Sequence, residues 1–161
     1  MAEEIKTFTE VEAQGHFARS LNGKVWELLG KGERSPREDD LMVQAAHGSQ
    51  YFWLLKGTAV NWQRGEWMIS RVYSELGLAH EALRHAEICN RLTEEHSDEM
   101  EDFDKAYALE ALARANAVAG NREEALRTYE LAAAVGDAIV DEESKKYFVD
   151  DLEGGPWNGL R

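Results

Sequence analysis

The chain is poor in cysteine and proline and has no long hydrophobic run. Its single cysteine, Cys89, excludes an internal disulfide framework and fits a reducing compartment. Two prolines, Pro36 and Pro156, leave long stretches free to form helix. The start lacks the basic and apolar segments of a signal peptide, and polar residues interrupt the most apolar stretch, residues 41–55. These absences predict a cytoplasmic protein that does not enter a membrane.

Basic side chains are also scarce. The 161 residues carry 18 lysines and arginines against 31 aspartates and glutamates, a net charge of −13. Binding to nucleic acid or to an anionic membrane surface needs a basic face, so we expect neither as a partner. The hydrophobic content of 43% is that of a globular domain, and the length suits a single one.

One phrase of eleven residues occurs twice. GLAHEALRHAE begins at Gly77, and GNREEALRTYE begins at Gly120, 43 residues later. Arg71 and Arg114, upstream of the two copies, keep the same offset. Repeats of about 20–50 residues are typical of stacked helical hairpins. The sequence therefore predicts an all-α fold of stacked antiparallel hairpins.

Start and stop signals divide the chain into about seven helices. Thr7 and Glu10 form a capping-box pattern before the first helix, and Ser35 and Glu38 form another before the second. Gly77 and Gly120 mark turns inside the repeats. The expected units are an atypical first hairpin (8–57), two repeat hairpins (60–95 and 103–140), a capping helix (142–152) and a flexible tail (153–161). A tryptophan in this tail, Trp157, either docks onto its own helices or meets a neighbouring copy.

The repeated pattern resembles the tetratricopeptide repeat (TPR) family. That family places a tyrosine in the first helix, a glycine at the turn, and alanine followed by leucine early in the second helix. The matching residues are Tyr73, Gly77, Ala82 and Leu83 in one unit, and Gly120, Ala125, Leu126 and Tyr129 in the next. The usual period is about 34 residues, so the longer period here is closer to long-helix variants such as those of kinesin light chains. The resemblance implies a right-handed superhelix whose concave groove holds an extended peptide.

A candidate peptide-binding face lies on the third helix. Arg64, Trp67 and Arg71 fall opposite the apolar stripe of that helix, and Arg114 is the repeat equivalent of Arg71. Tryptophan and arginine are enriched at interface hot spots, and paired guanidinium groups bind carboxylates through forked hydrogen bonds. We expect a groove for a carboxylate-bearing peptide. The alternative is that a neighbouring helix covers this face and that the arginines pair internally with Glu75 and Glu110.

A second group of polar residues borders the predicted core. Glu66 lies near the apolar stripe of the third helix, with His47 and His85 at the core edges of the helices on either side. A buried carboxylate requires hydrogen-bonding partners, so these residues predict a buried polar network. The alternative is a small helical-bundle metalloprotein or enzyme that uses the same three residues. The spacings typical of di-iron sites, phosphate-binding loops and nucleophile elbows are absent from the sequence.

Taken together, these patterns predict a protein- or peptide-binding scaffold without catalytic activity, cofactor or metal. A stack of few hairpins leaves its end faces open, which favours a homodimer. A purely structural homo-oligomer is a further alternative.

Overall fold

The computed structural model of the protein describes residue 1 and residues 3–160, and across these residues it contains seven α-helices and no β-strand. Each helix packs against the next, and the third helix also contacts the fifth, so the first helices of the second and third hairpins lie side by side. This arrangement confirms the predicted all-α fold of packed hairpins. The helices are α1 (Glu10–Leu29), α2 (Pro36–Lys56), α3 (Ala59–Glu75), α4 (Ala79–Glu95), α5 (Asp102–Ala119), α6 (Arg122–Asp137) and α7 (Glu142–Glu153).

The capping boxes fix where the first two helices begin. In α2, the backbone N–H of Glu38 donates to Ser35 Oγ, and the Ser35 N–H donates to the Glu38 carboxylate. In α1, the equivalent pair is Thr9 and Glu12, two residues after the predicted pair at Thr7. Thr7 and Thr9 both begin a T-x-x-E sequence, so the pattern alone does not distinguish them.

The two repeat glycines end equivalent helices in the same way. Gly77 and Gly120 have φ values of 73° and 78°, the left-handed region that favours glycine. The amide after each glycine bonds back to a carbonyl five residues earlier, from Leu78 to Tyr73 at 2.9 Å and from Asn121 to Asn116 at 2.9 Å. This is the Schellman arrangement for ending a helix, and it occurs at the predicted offset of 43 residues.

Two apolar clusters form the core. The first joins α1 to α5, and the second joins α5, α6, α7 and the segment after α7. The repeat alanines Ala82 and Ala125 are both completely buried at helix contacts. Small side chains at these positions allow the helices to approach closely, and a larger one would overpack the contact.

The end of the chain differs from the expected flexible tail. Residues 154–160 fold back onto the last hairpin, where Trp157 and Leu160 are buried in the second apolar cluster. The Trp157 indole N–H donates to the Leu152 carbonyl at 3.0 Å, and its ring meets Tyr129 of α6. Trp157 therefore docks onto its own helices. Arg161 lies outside the described residues.

Among the described residues, no helix combines the length and the apolar character needed to cross a membrane.

The helix-ending glycines give a first prediction. Gly77→Ala and Gly120→Ala should each lower the free energy of unfolding by about 1–2 kcal/mol, because alanine is strained at positive φ. The control is Gly23→Ala inside α1, where no atom lies within 4 Å of the added methyl group and φ is not positive. This control should raise stability by about 0.5–1 kcal/mol. Urea denaturation measures all three changes, and shifts of the same sign would contradict this account of the turns.

Candidate functional site

The polar centre of the molecule is the carboxylate of Glu110, on the middle of α5, which has 0% exposure. Arg114, one turn later on the same helix, donates to Glu110 Oε1 through its Nε. From α3, Trp67 donates its indole N–H to Oε2 at 2.9 Å, and Arg71 approaches Oε1 to 3.5 Å. A buried charge is tolerated only when it is paired and hydrogen-bonded. Glu110 therefore joins α3 to α5 through two of its three partners, Trp67 and Arg71.

The segment after α7 covers Arg114, which is only 1% exposed. The guanidinium of Arg114 donates to the backbone carbonyl of Asp151 at 2.6 Å and to those of Gly154 and Pro156 at 3.2 Å. The ring of Trp157 lies against the same guanidinium, with 4.2 Å between the carbon Cζ and the ring centroid. The hydrogen-bonding capacity of Arg114 is thus used inside the protein.

The expected arginine-lined groove is therefore corrected at two of its three arginines. Trp67, which was expected to be exposed on the same face, is also buried, with 9% exposure. Arg114 is buried, and Arg71 is mostly covered, donating to the Gly155 carbonyl at 3.3 Å. Burial, followed by the nearby charge of Arg114, lowers the pKa of Arg71. The physical reason is the returning segment, which supplies backbone carbonyls where a ligand carboxylate was expected. Arg71 and Arg114 both pair with Glu110 inside the protein, which is the pairing that the alternative interpretation expected for Glu110.

Above this layer lies an open cleft of about 240 Å³. Its walls come from α1, α3, α5 and α7, so the first helix of each hairpin contributes together with the last helix. Arg64 and Trp67, the other two predicted residues, line it. The lining residues are Asn22, Trp26, Gln63, Arg64, Trp67, Met68, Phe103, Asp104, Tyr107 and Asp151.

Arg64 stands at the edge of this cleft with 46% of its side chain exposed. It forks onto the buried carboxylate of Asp104, with Nε to Oδ1 at 2.7 Å and Nη2 to Oδ2 at 3.0 Å. Its guanidinium also lies 4.9 Å from the ring centroid of Phe103. Asp104 thus compensates the positive charge of Arg64.

Aromatic rings form a continuous wall of the cleft. Trp26 of α1 is 47% exposed and lies 5.9 Å from the ring of Trp67, which in turn lies 5.2 Å from Tyr107. The Tyr107 hydroxyl donates to Asp151 Oδ2 at 2.6 Å, and burial together with this bond raises the pKa of Tyr107 well above its ordinary value. Trp26, Tyr107 and Asp151 were not among the site residues predicted from the sequence. The sequence did offer one signal for Trp26, because this tryptophan lies outside the apolar stripe of α1.

The second predicted group does come together between α2, α3 and α4. His85 Nδ1 lies 2.6 Å from Glu66 Oε2, and Gln50 donates to Glu66 Oε1 at 3.0 Å. His47 bonds the Tyr73 hydroxyl at 2.9 Å, and its ring centroid lies 5.4 Å from that of His85. Burial, followed by the charge of His85, lowers the pKa of His47. These contacts join three helices.

Two observations bear on the chemistry of this second group. Within the part of the chain that the structure describes, no three His, Cys, Asp or Glu side chains are grouped so that they could hold a metal ion. The only cysteine, Cys89, is buried among the helices, and burial raises the pKa of its thiol well above the ordinary value. A buried thiol of this kind is a packing residue rather than a nucleophile.

Comparison of the chain with protein-family models, with curated proteins and with solved structures finds no match.

The buried arginine generates a prediction that separates structure from ligand binding. Arg114→Ala should lower the free energy of unfolding by about 3–5 kcal/mol, because it leaves the charge of Glu110 buried with fewer partners. The matched control is Arg127→Ala, which removes the same charge from an exposed i,i+3 pair with Glu124 on α6. Chemical denaturation should show a large loss for the first variant and almost none for the second. Equal stabilities would mean that Arg114 is not a structural residue.

Proposed function

We propose that this chain is a cytoplasmic protein- or peptide-binding module of the TPR-like type, without catalytic activity. The observation that carries the proposal is the cleft between the first helices of successive hairpins, with the half-exposed Trp26 on its wall. An exposed tryptophan beside an arginine is a common composition for an interface hot spot. The repeated turn, with its period of 43 residues, further supports the TPR-like assignment.

The expected carboxylate-bearing peptide needs revision under this proposal. Of the three arginines named from the sequence, Arg64 is the one that lines the cleft, and both of its forked bonds go to Asp104. Arg71 and Arg114 lie beneath the cleft and are engaged with Glu110 and with the returning segment. Binding in the cleft therefore depends on the aromatic wall more than on paired guanidinium groups.

The experiment is affinity purification from the native source, followed by mass spectrometry of the bound proteins. Trp26→Ala should lose the specific partners, because it removes the exposed ring of the cleft. The matched control is Tyr147→Ala, which removes an exposed ring on α7 that does not line the cleft. Partners that bind both variants equally, or the absence of any specific partner, would contradict the proposal.

The metalloprotein alternative is tested on the same sample. The pairing of His85 with Glu66, beside His47, is the feature that would have to hold a metal ion. Elemental analysis of the purified protein is expected to find no zinc, iron or manganese in stoichiometric amount. A stoichiometric metal would favour the alternative.

A separate observation favours a homodimer formed through the first hairpin. Leu41, Tyr51 and Leu55 are exposed on α2. Together with Gln44 and Gly48, which lie between them, they follow one another along the helix at alternating intervals of three and four residues. This spacing forms an apolar seam on one side of a helix. On α1, the exposed ring of Phe17 contacts Phe52 of α2, and Phe52 in turn contacts Tyr51 of the seam.

The distribution of charge and the closed far end both favour pairing at this hairpin. Residues 1–58 carry nine acidic and seven basic side chains, whereas residues 59–161 carry twenty-two and eleven. Repulsion between two copies is therefore weakest when their first hairpins meet. At the other end of the stack, Trp157 and Leu160 cover the last hairpin, which disfavours head-to-tail stacking. A symmetric pair closes both open faces at once.

Sedimentation velocity tests the homodimer. The protein should sediment as a dimer, and the double change Leu41→Glu with Leu55→Glu should give a folded monomer, because charges would be buried at the seam. Leu131→Glu, at an exposed leucine of α6, is the control and should remain a dimer. A monomeric parent protein at its highest soluble concentration would rule the homodimer out.

A further inference from the structure

The segment after α7, residues 154–160, is held as a groove holds a bound peptide. It forms neither helix nor strand, and among the described residues its backbone-to-backbone hydrogen bonds are made only to the end of α7 and within the segment itself. Arginine side chains on three helices hold its carbonyls instead, Arg71 of α3, Arg114 of α5 and Arg122 of α6. They donate to the backbone carbonyls of Gly154, Gly155, Pro156 and Gly159. Since every peptide has such carbonyls, these bonds supply affinity without requiring a particular sequence.

Two side chains of the segment are its apolar anchors. Trp157 and Leu160 are 7% and 6% exposed, whereas the other residues of the segment are exposed or half-buried. The Trp157 ring contacts the guanidinium of Arg114, at 4.2 Å from Cζ to the ring centroid, and the ring of Tyr129, at 5.0 Å between centroids. Pockets for particular side chains give a peptide groove its specificity. This surface therefore fits a tryptophan that is followed three residues later by a leucine.

The segment does not satisfy this surface completely. Arg71 reaches the Gly155 carbonyl at 3.3 Å and Glu110 at 3.5 Å, and its buried Nε has no hydrogen-bond partner. An open cavity of about 220 Å³ lies beside Trp157 and Leu160, between the segment and the end of α5. A buried donor without an acceptor is unfavourable. An occupant that placed an acceptor at Arg71 and filled this cavity would therefore bind the same surface more tightly than the segment does.

We propose that residues 154–160 are the exchangeable occupant of a peptide groove on α3, α5 and α6. The partner binds there by presenting a segment of the same chemistry, a tryptophan with a leucine three residues later. The covalent connection to α7 gives residues 154–160 a high effective concentration. The apparent affinity of the partner is lowered by the fraction of molecules in which the groove is open. This inference rests on the proposed function, that the chain binds a peptide, but it concerns a different surface from the cleft.

Hydrogen exchange of the Trp157 indole N–H tests whether the segment opens by itself. This N–H donates to the Leu152 carbonyl, so it is protected while the segment is docked. NMR follows it in the unmodified protein, and denaturation gives the equilibrium constant for global unfolding. The opening constant of the Trp157 indole should be larger than that of global unfolding by about a hundredfold or more. Equal constants would show that the segment leaves the groove only when the whole protein unfolds, and would overturn the inference.

Binding of a separate peptide tests the groove itself. The probe is acetyl-GGPWNGL-amide, which has the sequence of residues 154–160, and the receptor is the full chain with Trp157→Ala, whose own segment has lost its anchor. NMR signals of Tyr129 and Arg122 should shift saturably, with a dissociation constant of about 0.1–1 mM. The parent protein should bind the probe at least about tenfold more weakly, because its own segment competes. The control is Tyr147→Ala, which removes an exposed ring of α7 and should bind like the parent.

A second probe, with alanine in place of the tryptophan, should not bind, and equal binding of the two probes would overturn the inference. So would the absence of a saturable shift with the first probe. If Trp157→Ala does not fold, Leu160→Ala replaces it as the receptor, and the exchange measurement on the unmodified protein stands in either case. The recovery of partners that depends on Trp26 is a separate result. If it persists while the probe fails to bind, this inference alone is wrong, and the reverse result would contradict only the proposed role of the cleft.

Discussion

The structure depends on how one buried carboxylate, that of Glu110, is hydrogen-bonded and paired with opposite charge. Burying an isolated charge is prohibitively costly, so the residues around it must supply donors and opposite charge. Trp67 and Arg71 of α3 and Arg114 of α5 do so. Because these donors come from equivalent helices of neighbouring hairpins, the requirement fixes how the two hairpins sit against each other. The apolar clusters on either side supply most of the burial, while Glu110 supplies a specific register.

The covering of Arg114 explains the end of the chain. An arginine buried beside Glu110 still has N–H groups that need acceptors. The carbonyls of Asp151, Gly154 and Pro156 provide them, and the ring of Trp157 closes the site. The same fold-back brings α7 to the edge of the cleft and so places Asp151 beside Tyr107. The same contacts therefore position both the buried polar residues around Glu110 and the proposed binding cleft.

Local signals in the sequence were sufficient to predict the helices but not to predict the arrangement of the candidate site. Capping patterns and the repeated glycines act within a few residues, which is why the helix order and the equivalence of Gly77 and Gly120 could be predicted. Helical periodicity placed Arg64 and Trp67 on a common face, and it placed Glu66 beside His85. Periodicity could not show that Arg114 is buried, since its cover comes from residues about 40 positions later. Trp26 was missed because α1 lies outside the repeat.

The most direct measurement of this account is the hydrogen exchange of the Trp67 indole N–H, which donates to the buried Glu110. NMR follows this signal in the unmodified protein, and denaturation gives the free energy of global unfolding for comparison. If the layer around Glu110 is the support of the whole fold, the indole should exchange only through global unfolding, with an opening free energy equal to the denaturation value. Rapid exchange of this indole, while the backbone amides of α3 and α5 stay protected, would contradict the account.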